Sequence, residues 1–214
     1  MLGRLTALFG AFFVFFLLRS LYAPALAWLT GNGFLSAGGP IADRLLYGFF
    51  FPGTGSIFFL LVLPALGAGS RPILAFKRAE LSLKEGVSVS LLAAALLFGA
   101  AYAMTILSPH RTPPPSTEGL FLILFSSGIL TPIFEETFFR GLFQEFLISN
   151  RMAPPLSIAF AALAFASIHF YFVAPFLAIA GLVFGALNWR YGLYASLAAH
   201  AAYNLAILSI GSVS

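Results

Sequence analysis

The chain has 214 residues, of which 60% are hydrophobic and only 8% are charged. An ordinary soluble domain carries about 25% charged residues, so this chain cannot cover a water-facing surface and must have lipid as its solvent. Its formal net charge is +4, but the eleven cations are scattered, which excludes a nucleic-acid-binding patch. It has no cysteine, which excludes a disulfide framework, a thiolate metal site and a cysteine nucleophile.

Apolar segments recur along the whole chain. A helix needs about 20 residues to cross a hydrocarbon core of ~30 Å. Segments suited to crossing lie at roughly 5–29, 54–69, 87–107, 119–149, 155–173, 174–189 and 192–211. They predict an all-α, polytopic transmembrane bundle of about seven helices. The basic connection at 70–86 predicts that the amino terminus lies inside the cell.

Two neighbouring carboxylates, Glu135 and Glu136, lie within the fourth apolar segment. Ionisable groups in membrane helices are costly and mark a functional site by default. Arg140 follows Glu136 by four residues, the spacing of an ion pair on one helical face, whereas Glu135 points about 100° away. The alternative is structural: a Glu136–Arg140 pair at a helix end, with Glu135 solvated by lipid headgroups.

Two of the three histidines also lie in expected membrane segments. His169 follows Phe165 by four residues, and Asn204 follows His200 by four, so each pair shares a helical face. One alternative is structural: such side chains can simply hydrogen-bond neighbouring helices. Together with Glu135, however, they permit amide hydrolysis without a serine or cysteine. A carboxylate and an imidazole can activate a water as general base, and a second imidazole and an amide can stabilise an oxyanion.

The order Glu-Glu-x-x-x-Arg, Phe-x-x-x-His and His-x-x-x-Asn on successive helices resembles the CPBP family of intramembrane proteases, which includes the CAAX prenyl endopeptidases and many bacterial relatives. The resemblance covers roughly residues 119–208 and includes the run 181–185 that leads through Tyr191 and Gly192 to His200. It implies a catalytic core at 111–214. Residues 1–110 would then form amino-terminal transmembrane helices that can serve substrate selection.

The resemblance also implies a role for each motif residue. Glu135 would be the catalytic base, with His169 as its partner on the water, and His200 and Asn204 would stabilise the oxyanion. Glu136, Arg140 and Phe165 would support the site. Glu135 and the two histidines also suit three zinc ligands with an open position. The metal-free glutamate mechanism is the one that the resemblance implies, and we expect no cofactor.

The predicted function is therefore an endopeptidase that cuts a membrane-anchored protein or peptide within the bilayer. We expect a multi-pass protein of a bacterial inner membrane, with that substrate and the lipid bilayer as its partners. No oligomeric state is predicted. Two other classes of function remain open at this point: a non-catalytic membrane scaffold or immunity protein that binds peptides, and a small transporter with Glu135 and the histidines as a proton relay.

Overall fold

The computed structural model describes residues 83–107, 121, 124–169 and 174–211, together with isolated positions between 10 and 32. Every regular element in these residues is a helix, which agrees with the predicted all-α class. The expected span at 54–69, most of the span at 5–29, and His110 lie outside the described residues.

Five helices make up this part of the chain. They are α1 (Leu83–Leu107), α2 (126–149), α3 (Pro154–Ser167), α4 (Ala174–Tyr191) and α5 (Leu193–Gly211). Among the described residues, one stretch, Glu85–Ala103 in α1, is clearly long and apolar enough to cross a membrane. The predicted bundle of about seven transmembrane helices is therefore not confirmed, although the helical class is.

Helix α2 is not a regular α-helix. Ser126–Leu130 and Thr137–Gln144 are π-helical, and they alternate with the α-helical segments Thr131–Glu136 and Glu145–Ser149. Short π-helical turns inside α-helices occur frequently at functional sites, because the wider turn changes which side chains face a neighbour. Here they lie on both sides of the two adjacent carboxylates, Glu135 and Glu136.

Two tight connections set the directions of the helices. Arg151 has a φ of 68° in the turn before α3, which then begins with Pro154 in its first turn. Gly192, with a φ of 92°, lies between α4 and α5 and lets the chain reverse within one residue. That backbone conformation suits glycine, because it has no Cβ.

Glycines allow α3 to approach α4 closely. A Cβ on Gly181 would lie 3.0 Å from Cα of Ala162, and a Cβ on Gly185 would lie 2.8 Å from Cγ2 of Ile158. Small residues four positions apart commonly form such contacts between membrane helices. The pairing of position 181 with 162 and of 185 with 158 shows that α3 and α4 are antiparallel.

The expected span at 155–173 was wrong at its carboxyl end. Helix α3 ends at Ser167, so His169 lies beyond the helix rather than on its face. The His169 backbone N–H donates to Ala166 O at 3.1 Å, and its ring Nδ1 lies 2.7 Å from Phe165 O. The ring thus bonds to the Phe165 carbonyl, which the backbone N–H of His169 would have used in a continuing α-helix. This competition accounts for the end of the helix there.

Candidate active site

Glu135 lies between His169 and His200. Its Oε1 is 3.7 Å from His169 Nε2, and its Oε2 is 3.7 Å from His200 Nε2. Both separations exceed a direct hydrogen bond. They are short enough for one water to lie within hydrogen-bond reach of both members of either pair. The end of α3, the middle of α2 and the middle of α5 therefore meet at one carboxylate.

Glu136 makes direct contact with the same site. Its Oε1 is 2.8 Å from His200 Nδ1 and 3.1 Å from Arg140 Nη1. The side chains of Glu136 and Arg140 are completely buried. The i, i+4 spacing predicted the pair with Arg140. The contact with His200, 64 residues away, came only from the structure.

The hydrogen bonds of the two imidazoles determine which ring nitrogen faces Glu135. The partner of His169 Nδ1 is a backbone carbonyl, and that of His200 Nδ1 is a carboxylate; both groups only accept hydrogen bonds. The Nδ1 atom of each ring must therefore carry the proton. In a neutral ring, Nε2 is then an acceptor, so both histidines present an acceptor to Glu135 unless they gain a second proton.

Two buried phenylalanines surround His200 and Arg140. The ring of Phe184 stacks on the His200 imidazole with centroids 4.7 Å apart, and Phe165 meets the same imidazole edge-on at 5.8 Å. The Arg140 guanidinium lies 4.8 Å from the ring centre of Phe165 and 5.6 Å from that of Phe184. Cation–π contacts of this kind offset part of the cost of burying the cation.

Asn204 lies one turn beyond His200 on α5, where its Nδ2 donates to the backbone carbonyl of Ser127 at 2.8 Å. This carbonyl is available for a local reason. The Thr131 N–H bonds to Ser126 O in the π-helical pattern, and the next residue, Pro132, has no N–H to offer Ser127. One of the two Nδ2 hydrogens of Asn204 is used in this way, which leaves the other for a ligand.

Exposure falls steeply across the site. The His169 side chain is 28% exposed and that of Glu135 is 11% exposed, whereas those of Glu136 and Arg140 have no exposed surface. The site therefore opens on the side of His169, at the end of α3. The groups behind Glu135 are shielded, and low local polarity strengthens their electrostatic interactions.

The structure brings Glu135, Glu136, Arg140, Phe165, His169 and His200 into one connected cluster, and it holds Asn204 beside α2 at the next turn of α5. Sequence reasoning did not identify Phe184 or Gln144, both fully buried. Gln144 had a signal: it is a polar residue four positions after Arg140 in an apolar segment. Phe184 lies in the run 181–185 that forms part of the resemblance, but nothing there distinguishes it as a site residue from the other 25 phenylalanines.

The described residues contain no group of three His, Asp or Glu side chains in an arrangement that holds a metal. Residues 117–206 match the protein family described as type II CAAX prenyl endopeptidase, Rce1-like, in agreement with the resemblance drawn from the motifs. The members of that family are membrane peptidases, which supports a peptidase activity in general. No curated protein and no solved structure matches the chain.

Arg140→Ala should strongly destabilise the protein. The substitution leaves Glu136 buried without its cation, and removing one side of a buried ion pair costs about 3–5 kcal/mol. We expect a clearly lower thermal unfolding midpoint in detergent. Arg190→Ala is the matched control, because Arg190 is exposed in the last turn of α4. Equal midpoints for the two variants would show that Arg140 does not support the structure.

Proposed function

Because residues 117–206 are Rce1-like, we propose that this chain is an intramembrane endopeptidase that hydrolyses a peptide bond in a membrane-anchored protein or peptide. The observation that supports this most directly is the position of Glu135, with an Nε2 atom 3.7 Å from each of its two oxygens. A carboxylate so placed can act as general base on a water that an imidazole also holds.

In the proposed reaction, the carboxylate of Glu135 removes one proton from water. His169 Nε2 accepts a hydrogen bond from the other hydrogen of that water and thereby orients it. The resulting hydroxide adds to the carbonyl carbon of the scissile bond, and the carbonyl oxygen becomes an oxyanion. When the carbon–nitrogen bond breaks, the protonated Glu135 returns its proton to the leaving nitrogen. Serine and cysteine nucleophiles are not needed.

The oxyanion would be stabilised by donors from α5. Asn204 offers the second hydrogen of its amide, and the Ser127 carbonyl fixes the orientation of that amide. His200 can donate from Nε2 only when both of its ring nitrogens carry protons, because Nδ1 already donates to Glu136. The carboxylates of Glu136 and Glu135 are the two negative charges in contact with that ring.

Glu135→Gln should abolish proteolysis. The amide keeps the shape of the side chain but cannot accept a proton from water. Comparative proteomics of membranes from cells with the wild-type and variant chains should show uncut precursors only in the variant. Glu85→Gln, at an exposed position in the first turn of α1, removes a carboxylate that is not part of the cluster and is the control.

The same variant separates the classes of function left open by the sequence. A peptide-binding scaffold would keep its function in Glu135→Gln, and a transporter would show altered pH-dependent flux instead of accumulated precursors. Identical membrane proteomes in the wild-type and Glu135→Gln cells would contradict the proposed endopeptidase.

Turnover should fall on the acid side of the pH profile, because protonation of Glu135 removes the base. The measurement is turnover of a purified enzyme on one peptide across pH. Turnover that stays constant as the solution is made acidic would mean that Glu135 is not the base.

Activity should survive exhaustive treatment with a zinc chelator, because the proposed base is a carboxylate and not a metal-bound water. The alternative has a chemical basis: Glu135 and two imidazoles with protonated, hydrogen-bonded Nδ1 atoms also suit zinc. Loss of activity on chelation, followed by recovery with stoichiometric zinc, would make Glu135, His169 and His200 metal ligands. Chelator that has been saturated with zinc beforehand cannot remove the metal and serves as the control for non-specific effects.

A further inference from the structure

We propose that Gln144 is a positioning residue for this site, an inference that rests on the proposed endopeptidase function. Gln144 is completely buried in the second π-helical segment of α2. Its Nε2 donates to the backbone carbonyl of Gly185 at 3.0 Å, and Arg140 Nη2 donates to that of Gly181 at 3.1 Å. The two donors are four residues apart on α2, and the two acceptors are four residues apart on α4.

This pair of bonds sets how far α2 can slide along α4. One bond from a long guanidinium allows the helices to shift, because the side chain can follow the movement. A second bond one turn away, from a shorter amide, requires both carbonyls to keep their spacing relative to α2. The donor residue number rises from 140 to 144 as the acceptor residue number rises from 181 to 185, so the two helices run parallel at this contact.

Helix α3 limits α4 from the other side. A Cβ on Gly185 would meet both Ile158 Cγ2, at 2.8 Å, and Gln144 Oε1, at 2.9 Å. The backbone of α4 therefore lies between α3 and the Gln144 amide, with no room for a side chain at this position. The glycine leaves its carbonyl accessible to Gln144, and close packing then keeps it there.

The position of α2 along α4 matters because each of these helices carries a side chain that contacts His200. Helix α4 carries Phe184, between the two glycines, and its ring stacks on the imidazole. Helix α2 carries Glu136, whose carboxylate accepts a hydrogen bond from the same imidazole. If α2 moves along α4, Glu136 leaves the imidazole that Phe184 holds, and Glu135 moves with it. Gln144 thus acts on the reaction through Glu136 and His200, without touching substrate.

The first test compares Gln144→Leu with Gln144→Glu. We expect Gln144→Leu to lower kcat by between about ten- and a hundredfold, the size of effect that a misplacement of ~1 Å produces, with KM changed much less. Ser90→Ala is the matched control. Ser90 is also completely buried, but its hydroxyl bonds to a carbonyl of its own helix, Gly86 O.

Gln144→Glu adds a readout that a purely structural role would not move. The protonated acid has the shape of glutamine and can donate its O–H to Gly185 O, whereas the ionised form cannot donate and repels the carbonyl. The ratio of Q144E to wild-type kcat should therefore fall as pH rises, and the Q144L ratio should stay flat. Measuring ratios removes the titration that variant and wild type share. That titration belongs to the neighbouring ionisable groups: Glu135, Glu136, Arg140 and Glu145 on α2, Arg190 and Tyr191 on α4, and Tyr194, His200 and Tyr203 on α5, with none on α3.

A second measurement does not need activity. The chain has three histidines, so ¹⁵N NMR of their ring nitrogens in detergent can be assigned with single His→Gln variants. Gln144→Leu should shift the His200 signals and leave the Nδ1 signal of His169 unchanged, because that atom contacts Phe165 O in its own segment.

The outcomes distinguish the two proposals. Unchanged His200 signals in folded Q144L, wild-type kcat in Q144L, or a Q144E ratio that is flat with pH would each overturn the positioning role. A wild-type chain that cuts no membrane protein, while its His200 signals still respond to Gln144→Leu, would instead overturn the endopeptidase and leave the structural link from Gln144 to His200 in place.

Discussion

The carboxylate of Glu136 is the interaction on which the rest of the site depends. One of its oxygens accepts a hydrogen bond from His200 Nδ1 and lies 3.1 Å from Arg140 Nη1, with which it forms an ion pair. The side chains of Glu136 and Arg140 are both fully buried. An isolated charge would be too costly at this depth, so the three groups are stable only together. Because Arg140 also donates to α4, this single oxygen links α2, α4 and α5.

Backbone irregularity in α2 follows from the same requirement. A regular α-helix offers its carbonyls to its own N–H groups and has few left for other partners. The π-helical turns and Pro132 free the Ser127 carbonyl for Asn204 on α5. At the second π-helical segment, α2 donates instead, from Arg140 and Gln144 to carbonyls of α4. Arg140 and Gln144 are buried out of reach of water, so such bonds between helices replace hydration.

The two adjacent carboxylates, Glu135 and Glu136, differ in burial and in hydrogen bonding. Glu136 is fully buried and bonded to fixed partners, so it can orient His200 but has no access to substrate. Glu135 has no direct hydrogen bond at 3.7 Å from either imidazole and lies on the exposed side, towards His169. The 100° between consecutive helical residues makes this division possible, because one side chain points into the bundle and the other across it.

The sequence by itself determined the helical class, the membrane setting and the motif residues, since a few ionisable groups in an apolar chain stand out and i, i+4 spacing predicts which share a face. It could not place the end of α3 at Ser167, or choose the ring nitrogens that face Glu135. Nor could it pair Glu136 with His200, or Gln144 with Gly185. Those contacts join residues 41 and 64 positions apart, and they depend on how neighbouring helices are rotated and shifted, which only packing in three dimensions decides.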